Sequence, residues 1–321
     1  MFSYLDLIYE EPIFDSVGHV FPDHQGHVYS RLNGKVRSAS SFHYTVRNGE
    51  YSFSKECYST LYDQSGQLRH RETTDKEGNL KETDIYVYDN NGRCVEFLTL
   101  TNKGEFKSHN IFTYNEKGLL YTGESLDEEG SRGKEVYLYD DNGFVIEQRW
   151  DSRSHENSWK CLYKNNNQGE WIEMKEYKGK YGTTGYWFAR KNTKIYDDFG
   201  HVKEHLYVDS NGKEQKLKTD EYDEKGRCVK MSDWKLLFSY DSNDKLIGGN
   251  NPDDGDGFKV LYNYDGSISI LWSDKDNKIT KRREIQFDRY KNIKSIIDYK
   301  GENLDLIEVS TFCYEYYPLS Q

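Results

Sequence analysis

The sequence predicts an all-β protein built from tandem antiparallel β-hairpin repeats that form a curled single-layer sheet, a superhelical ribbon or a partial shell. A five-residue pattern, Tyr-Asp-x-x-Gly, recurs about every 25 residues through most of the chain. Only 35% of the 321 residues are apolar and mean hydropathy is -0.98, which argues against a large globular core. The 28 tyrosines supply side chains that bury area while keeping a polar end in water, so a thin ordered sheet is favoured.

The repeated pattern predicts hairpin turns. Its clearest copies begin at Tyr62, Tyr88, Tyr114 and Tyr139, at spacings of 26, 26 and 25 residues. Further copies begin at Tyr196, Tyr222 and Tyr240, and degenerate copies are assigned at Phe14, Tyr163, Tyr264 and Phe287. An Asp or Asn that opens the turn bonds nearby backbone and a closing Gly accepts positive φ.

A second set of turns lies halfway between the first, at Asp75 to Gly78, Asn102 to Gly104, Asp127 to Gly130 and Asp209 to Gly212. Each repeat is therefore strand, turn, strand, turn, with strands of roughly eight or nine residues. In Leu80 to Tyr88 both faces mix polar and apolar residues, so we expect a sheet that is wetted on both sides over much of its area.

The regularity of the repeats divides the chain into four regions. Residues 1–57 are predicted to form an atypical N-terminal β cap and 58–247 the repeat array. Residues 248–257, rich in Gly and Asp, are predicted to be a flexible acidic loop, followed by degenerate repeats and a cap in 258–321.

The motif and the residues after it, as in Gly92-Arg93-Cys94-Val95 and Gly226-Arg227-Cys228-Val229, resemble YD or RHS repeats from roughly Tyr62 to Asp288. In that family long arrays spiral into a hollow shell that packages a toxin, closed by an Asp-Pro-containing core segment. None of the four prolines here follows an aspartate, and no unlike domain follows the repeats. The resemblance therefore implies a short, stand-alone repeat protein from a bacterial polymorphic-toxin or contact-dependent secretion locus.

The charge, the cysteines and the absence of targeting signals indicate which partners, sites and cellular location to expect. A net charge of -11 without a basic run argues against nucleic acid and favours a basic protein partner, such as a toxin or a secretion component. Five cysteines without a C-x-x-C pair predict neither a disulfide framework nor a zinc site. No secretory signal or membrane span is visible, so we expect a cytoplasmic protein, or one exported by a signal-independent system.

Departures from a regular array are the most promising places for a binding site. The segment from Lys178 to Phe188 places three glycines beside four aromatic residues, and we predict a candidate binding site there. Aromatic side chains of this kind anchor protein partners or stack on sugar rings; alternatively, they cover the sheet of a longer hairpin. The candidate residues are Tyr181, Tyr186, Trp187 and Phe188.

No catalytic motif is present, no cofactor is predicted, and no carboxylate pair stands out for acid–base chemistry. His19, His24 and His27 lie close in sequence, but successive hairpin turns point to opposite sheet edges, so no metal site is predicted. We therefore expect a non-enzymatic protein-binding scaffold, and the resemblance to YD or RHS repeats implies an immunity or adaptor protein. The alternative is a carbohydrate-binding module that uses aromatic ladders, and an enzyme on a β-repeat frame ranks third.

Overall fold

The computed structural model describes Leu32 and residues 34–54, 56–152, 158–179, 185–232, 235–301 and 303–318, and every structural statement below concerns these. They contain 24 strands and no helix. The first twelve are β1 Val36–Arg47, β2 Glu50–Phe53, β3 Cys57–Tyr62, β4 Leu68–Thr74, β5 Leu80–Tyr88, β6 Cys94–Thr101, β7 Phe106–Tyr114, β8 Leu120–Asp127, β9 Gly130–Tyr139, β10 Val145–Ser152, β11 Ser158–Asn165 and β12 Trp171–Gly179. The others are β13 Tyr186–Tyr196, β14 Val202–Asp209, β15 Glu214–Leu217, β16 Glu221–Tyr222, β17 Cys228–Met231, β18 Leu236–Tyr240, β19 Leu246–Asn250, β20 Gly257–Tyr262, β21 Ile268–Ser273, β22 Ile279–Phe287, β23 Ile293–Lys300 and β24 Asp305–Tyr316.

The strands form one sheet in which neighbours along the chain pair antiparallel. The first strand is the exception, because β1 pairs with β24 on one side and with β2 and β3 on the other. The beginning and end of the array are thereby joined. Within the described ranges no backbone ladder connects β15 to β16, so the curled sheet is interrupted there. The predicted all-β, single-layer curled sheet is confirmed.

The copy that starts at Tyr88 shows why the motif makes a turn. The Asp89 N–H donates to Arg93 O and the Gly92 N–H donates to Asp89 O, at 2.9 and 3.0 Å. Asp89 Oδ1 accepts hydrogen bonds from the backbone N–H groups of Asn91 and Arg93, both at 2.9 Å. Gly92 has a φ of 77°, a conformation that costs other residues about 1–2 kcal/mol. The turn chemistry predicted for the motif is confirmed.

Several tyrosines tie their repeat to the one before it through their hydroxyl groups. The hydroxyl of Tyr88 donates to Leu68 O at 2.6 Å, and that of Tyr139 to Leu120 O at 2.7 Å. The same bond recurs at Tyr114, Tyr196, Tyr240, Tyr262 and Tyr314. Tyr317 donates to Tyr62 O at 2.7 Å and so links the last described residues to β3. The tyrosines of the repeat therefore have a structural role that depends on their hydroxyl groups.

Two degenerate copies lie two residues away from their predicted positions. The copy assigned to Tyr163 starts at Asn165, whose Nδ2 donates to Val145 O at 2.8 Å in place of a tyrosine hydroxyl. The copy assigned to Tyr264 starts at Tyr262. In both copies the predicted start was placed at an aromatic residue, whereas the position of the copy is given by the backbone hydrogen bonds of the turn. The copy at Phe287 is confirmed by its turn bonds, whereas Phe14 lies outside the described residues.

One face of the sheet, here called the core face, carries a cluster of buried apolar residues. Its fully buried members come from residues 36–137 and 236–312 and include Tyr86, Phe97 and Ile285. The expectation that both faces are wetted is therefore wrong for β3–β9 and β18–β24, because curling covers their core face. It fits the core face of β10–β16 better, where most side chains are only half-buried.

The predicted loop 248–257 is partly strand. Gly248 to Asn250 lie in β19 and Gly257 begins β20, and only Asn251 to Asp256 form the connection. A Cβ atom at Gly248 would lie 2.5 Å from Phe258 O, so glycine at this position serves close strand packing.

Candidate functional site

The predicted aromatic segment does not form a single surface. Tyr186, Trp187 and Phe188 lie on β13, opposite Gly179, Lys178 and Tyr177 of β12, and Tyr181 lies outside the described residues. Because side chains alternate along a strand, Tyr186 and Phe188 share one face while Trp187 lies on the other. The predicted site residues are thus divided between the two faces.

Tyr186 and Phe188 are packed against β11 and β12. The Tyr186 hydroxyl donates to Asp151 Oδ1 at 3.1 Å, and Lys160 Nζ lies 5.0 Å from the centre of its ring. Phe188 meets the ring of Tyr177 edge-on at 6.0 Å. Burial raises the pKa of Tyr186 above its ordinary value. These two rings cover the sheet, while Trp187 remains 51% exposed and accessible.

A set of exposed apolar side chains that the sequence analysis missed lies on the face opposite the core face. We call it the outer stripe: Tyr121, Leu138, Ile146, Ile172 and Ile195, which are 36–49% exposed. Leu138 and Ile195 immediately precede a motif turn, whereas Tyr121, Ile146 and Ile172 occupy the irregular position just after one. Apolar residues at both positions in consecutive copies were the clue in the sequence.

A shallow depression of about 520 Å³ lies at one end of the outer stripe. Tyr121, Leu138 and Ile146 contribute apolar surface to it. Three carboxylates, Glu116, Asp140 and Asp141, also line it, together with one cation, Lys117, which donates to Asp141 O at 2.9 Å. The depression therefore combines an apolar floor with an acidic rim.

The core face between β9 and β11 carries a hydrogen-bonded group of polar side chains, whereas Tyr86, Phe97 and Phe112 of β5–β7 pack into the buried cluster. Gln148 Nε2 donates to Glu135 Oε1 at 2.7 Å and to the hydroxyl of Tyr137 at 3.3 Å. Tyr163 donates its hydroxyl hydrogen to Gln148 Oε1 at 3.0 Å. The side chains of this part of the sheet are joined to one another by hydrogen bonds.

Reactive and metal-binding groups are sparse in the described ranges. They contain no cluster of three or more His, Cys, Asp or Glu residues placed to hold a metal ion, and His19, His24 and His27 lie outside them. The five cysteines are free thiols; Cys94 is fully buried, and burial raises its pKa to about 12. Cys94 is part of the buried apolar cluster on the core face. No helix among these residues is long and apolar enough to cross a membrane.

No protein-family model matches the sequence, and no curated protein matches it. Among solved structures, the chain is similar to a structure of TcdB2-TccC3-Cdc42, with 12% identity and a TM-score of 0.38 over 90% of this chain and 17% of that one. It is also similar to a porin-like protein from Bacteroides uniformis ATCC 8492, with 10% identity and a TM-score of 0.30 over 90% of this chain and 100% of that one. A third similar structure is a porin-like protein from Bacteroides vulgatus ATCC 8482, with 12% identity and a TM-score of 0.28 over 88% of this chain and 99% of that one. The chain thus spans about a sixth of the TcdB2-TccC3-Cdc42 chain, and the relationship is a loose one between β-rich folds.

Proposed function

We propose that this protein is a non-enzymatic scaffold that binds another protein through the outer stripe. The observation that supports this is the row of exposed apolar side chains from β8 to β13 on a chain whose mean hydropathy is only -0.98. Three of these side chains, Tyr121, Leu138 and Ile146, line one depression, and clustered apolar surface on a polar protein marks interaction sites. The regular turns and the tyrosine bonds hold the strands rigidly beneath it.

The partner's contact surface combines apolar anchors with basic side chains. An apolar side chain fits the floor of the depression formed by Tyr121, Leu138 and Ile146, while Lys or Arg groups meet Glu116 and Asp140 on its rim. The net charge of -11 speeds the encounter with such a partner.

The repeat motif supplies a setting for this binding. Its resemblance to YD or RHS repeats supports a role as an immunity or adaptor protein in a bacterial toxin or secretion system. A basic toxin or secretion component has the surface chemistry described above.

The proposal is tested by recovering partners from the native host with the wild-type chain and two triple variants. Tyr121→Ser, Leu138→Asn and Ile146→Asn together remove the apolar floor. The control, Leu61→Asn, Leu237→Asn and Leu261→Asn, removes leucines of similar exposure (37–46%) elsewhere on the sheet.

We expect a stoichiometric protein partner that is lost with the first variant and retained with the control, with both variants showing the wild-type circular dichroism spectrum. Equal recovery by both variants, or no stoichiometric partner with the wild type, would contradict the proposal.

The carbohydrate alternative has lost part of its physical basis. It depended on ladders of tyrosine rings, yet the motif tyrosines donate their hydroxyl groups to backbone carbonyls, and Arg69 and Arg227 stack over Tyr88 and Tyr240. Among the described residues of the predicted segment, Trp187 is the exposed ring. A glycan array with wild type and Trp187→Ala tests this alternative, and a signal that does not change with the substitution counts against it.

A further inference from the structure

Three side chains from consecutive strands converge on the core face near the motif turns. Trp171 begins β12, Lys194 lies on β13 and His205 lies on β14, directly opposite Lys194 in the ladder. Lys194 Nζ is 3.9 Å from the centre of the Trp171 ring. The His205 ring meets the same indole edge-on, with centroids 6.2 Å apart. Two groups that can carry positive charge therefore share one aromatic floor.

This pair of basic groups has no acidic neighbour among the residues that the structure describes. The next cations along β13 are paired, Arg190 with Glu176 and Lys191 with Glu173. Burial lowers the pKa of Lys194. Burial, and then repulsion from Lys194, lowers the pKa of His205.

The hydrogen bond of His205 determines what its ring can offer. His205 Nε2 lies 3.0 Å from Asn192 Oδ1, and because an amide oxygen only accepts, Nε2 carries the hydrogen. Nδ1 then becomes a second donor only when the ring is protonated. Asn192 is 7% exposed, so the orientation of the ring is held from a buried position.

We propose that Trp171, Lys194 and His205 form a binding site for an oxyanion, the sulfate, phosphate or carboxylate group of a ligand. Lys194 supplies the fixed positive charge, and His205 takes up a proton at Nδ1 when the anion binds and donates that hydrogen to an anion oxygen. Charge-assisted hydrogen bonds of this kind are about twice as strong as neutral ones. The anion also supplies the negative charge that the surrounding side chains lack.

The groups that face His205 support this pH dependence. On the neighbouring strand β13 these groups are Lys194 and Asn192. On the other neighbour, β15, Leu217 lies opposite His205 in the ladder. The indole of Trp171 on β12 carries no charge. Arg190, further along β13, is paired with Glu176 and lies opposite Asp209 in the ladder. Lys194 is thus the charged group nearest to His205, and an anion that offsets it raises the pKa of His205.

Sulfate is the probe for the test, because it remains a dianion over the range in which histidine titrates, and acetate is the carboxylate probe. The measurement is the ring carbon-hydrogen resonance of His205, assigned by its loss in His205→Gln, during titration at constant ionic strength set with chloride. We expect saturable shifts, an upward shift of the His205 midpoint in sulfate, and an affinity at least tenfold higher at about pH 5 than at about pH 7.

Lys194→Gln is expected to weaken sulfate binding at least tenfold, whereas Lys194→Arg retains it. Lys203→Gln, which removes an exposed lysine of the same strand as His205 on the other face, leaves binding unchanged. A sulfate shift no larger than that in chloride, or one unaffected by Lys194→Gln, overturns the proposal. Tighter binding of sulfate than of acetate assigns the site to a phosphate-like group, and the reverse order assigns it to a carboxylate.

Discussion

The buried ion pair between Arg71 and Asp84 is expected to be the most sensitive polar contact of the core face. Arg71 Nε and Nη2 both contact Asp84 Oδ2, at 2.7 and 2.5 Å, and the side chains are 5% and 1% exposed. Arg71→Met leaves the carboxylate buried with Thr99 as its remaining side-chain hydrogen-bond partner, at 2.8 Å. Removing one member of such a pair costs about 3–5 kcal/mol of unfolding free energy. Urea denaturation followed by circular dichroism measures the loss.

Arg93 and Asp89 provide a matched control. Arg93 Nε and Nη2 contact Asp89 Oδ2 at 2.7 and 2.6 Å, nearly the same geometry, but both side chains are 22% exposed. Arg93→Met is expected to cost about 1 kcal/mol, since a solvated pair contributes little. Replacing both members of the buried pair, as Arg71→Met with Asp84→Leu, should recover most of the loss. Equal losses for Arg71→Met and Arg93→Met would refute the reasoning that burial decides the cost.

Three further predictions concern the repeat and the outer face. Tyr88→Phe removes the hydroxyl bond to the preceding repeat and should lower the unfolding free energy by about 1 kcal/mol, whereas Tyr121→Phe, on an exposed ring, should leave it unchanged. Gly92→Ala, at a φ of 77°, should cost about 1–2 kcal/mol in the same assay, and Gly185→Ala, with open space around it, should cost less. Hydrogen bonding and charge from three lysines lower the pKa of Glu173 to about 2. The ionised Glu173 therefore adds to the free energy of unfolding above the unfolded pKa of about 4.3, and this stabilisation is lost as pH falls toward 2. Glu173→Gln should therefore cost about 1 kcal/mol at neutral pH and nothing near pH 2 in acid unfolding, and an equal cost at both would contradict the assignment.

The turns could be predicted from the sequence because their chemistry is local. Asp89 and Gly92 lie three residues apart and make the turn almost entirely from their own backbone and side-chain bonds. The same local chemistry places the turns at Asp63, Asp140 and Asp223. The starts of two repeat copies were predicted two residues too early or too late, at Tyr163 and Tyr264, because an aromatic residue near the turn resembled the first residue of the motif.

The candidate sites were harder to predict because they depend on which face a residue occupies. Tyr186, Trp187 and Phe188 are adjacent in sequence, yet the strand separates the middle residue from the other two. The outer stripe and the Trp171, Lys194 and His205 cluster join residues from several strands. Their register depends on the extra residue that follows several motif turns, which shifts the pairing and is not apparent from alternation alone.

The sequence by itself determined the all-β class and most of the turns, since these follow from contacts between residues a few positions apart, whereas β15–β21 are shorter than the predicted eight or nine residues. Only the tertiary structure decided that β1 lies between β24 and β3, with Tyr317 bound to Tyr62 O across 255 residues. It also decided that the core face is buried beside Tyr86 but only half-buried beside Trp171. The physical reason is that curling brings distant strands together, and burial depends on what lies across the sheet and not on the residue's neighbours in the chain.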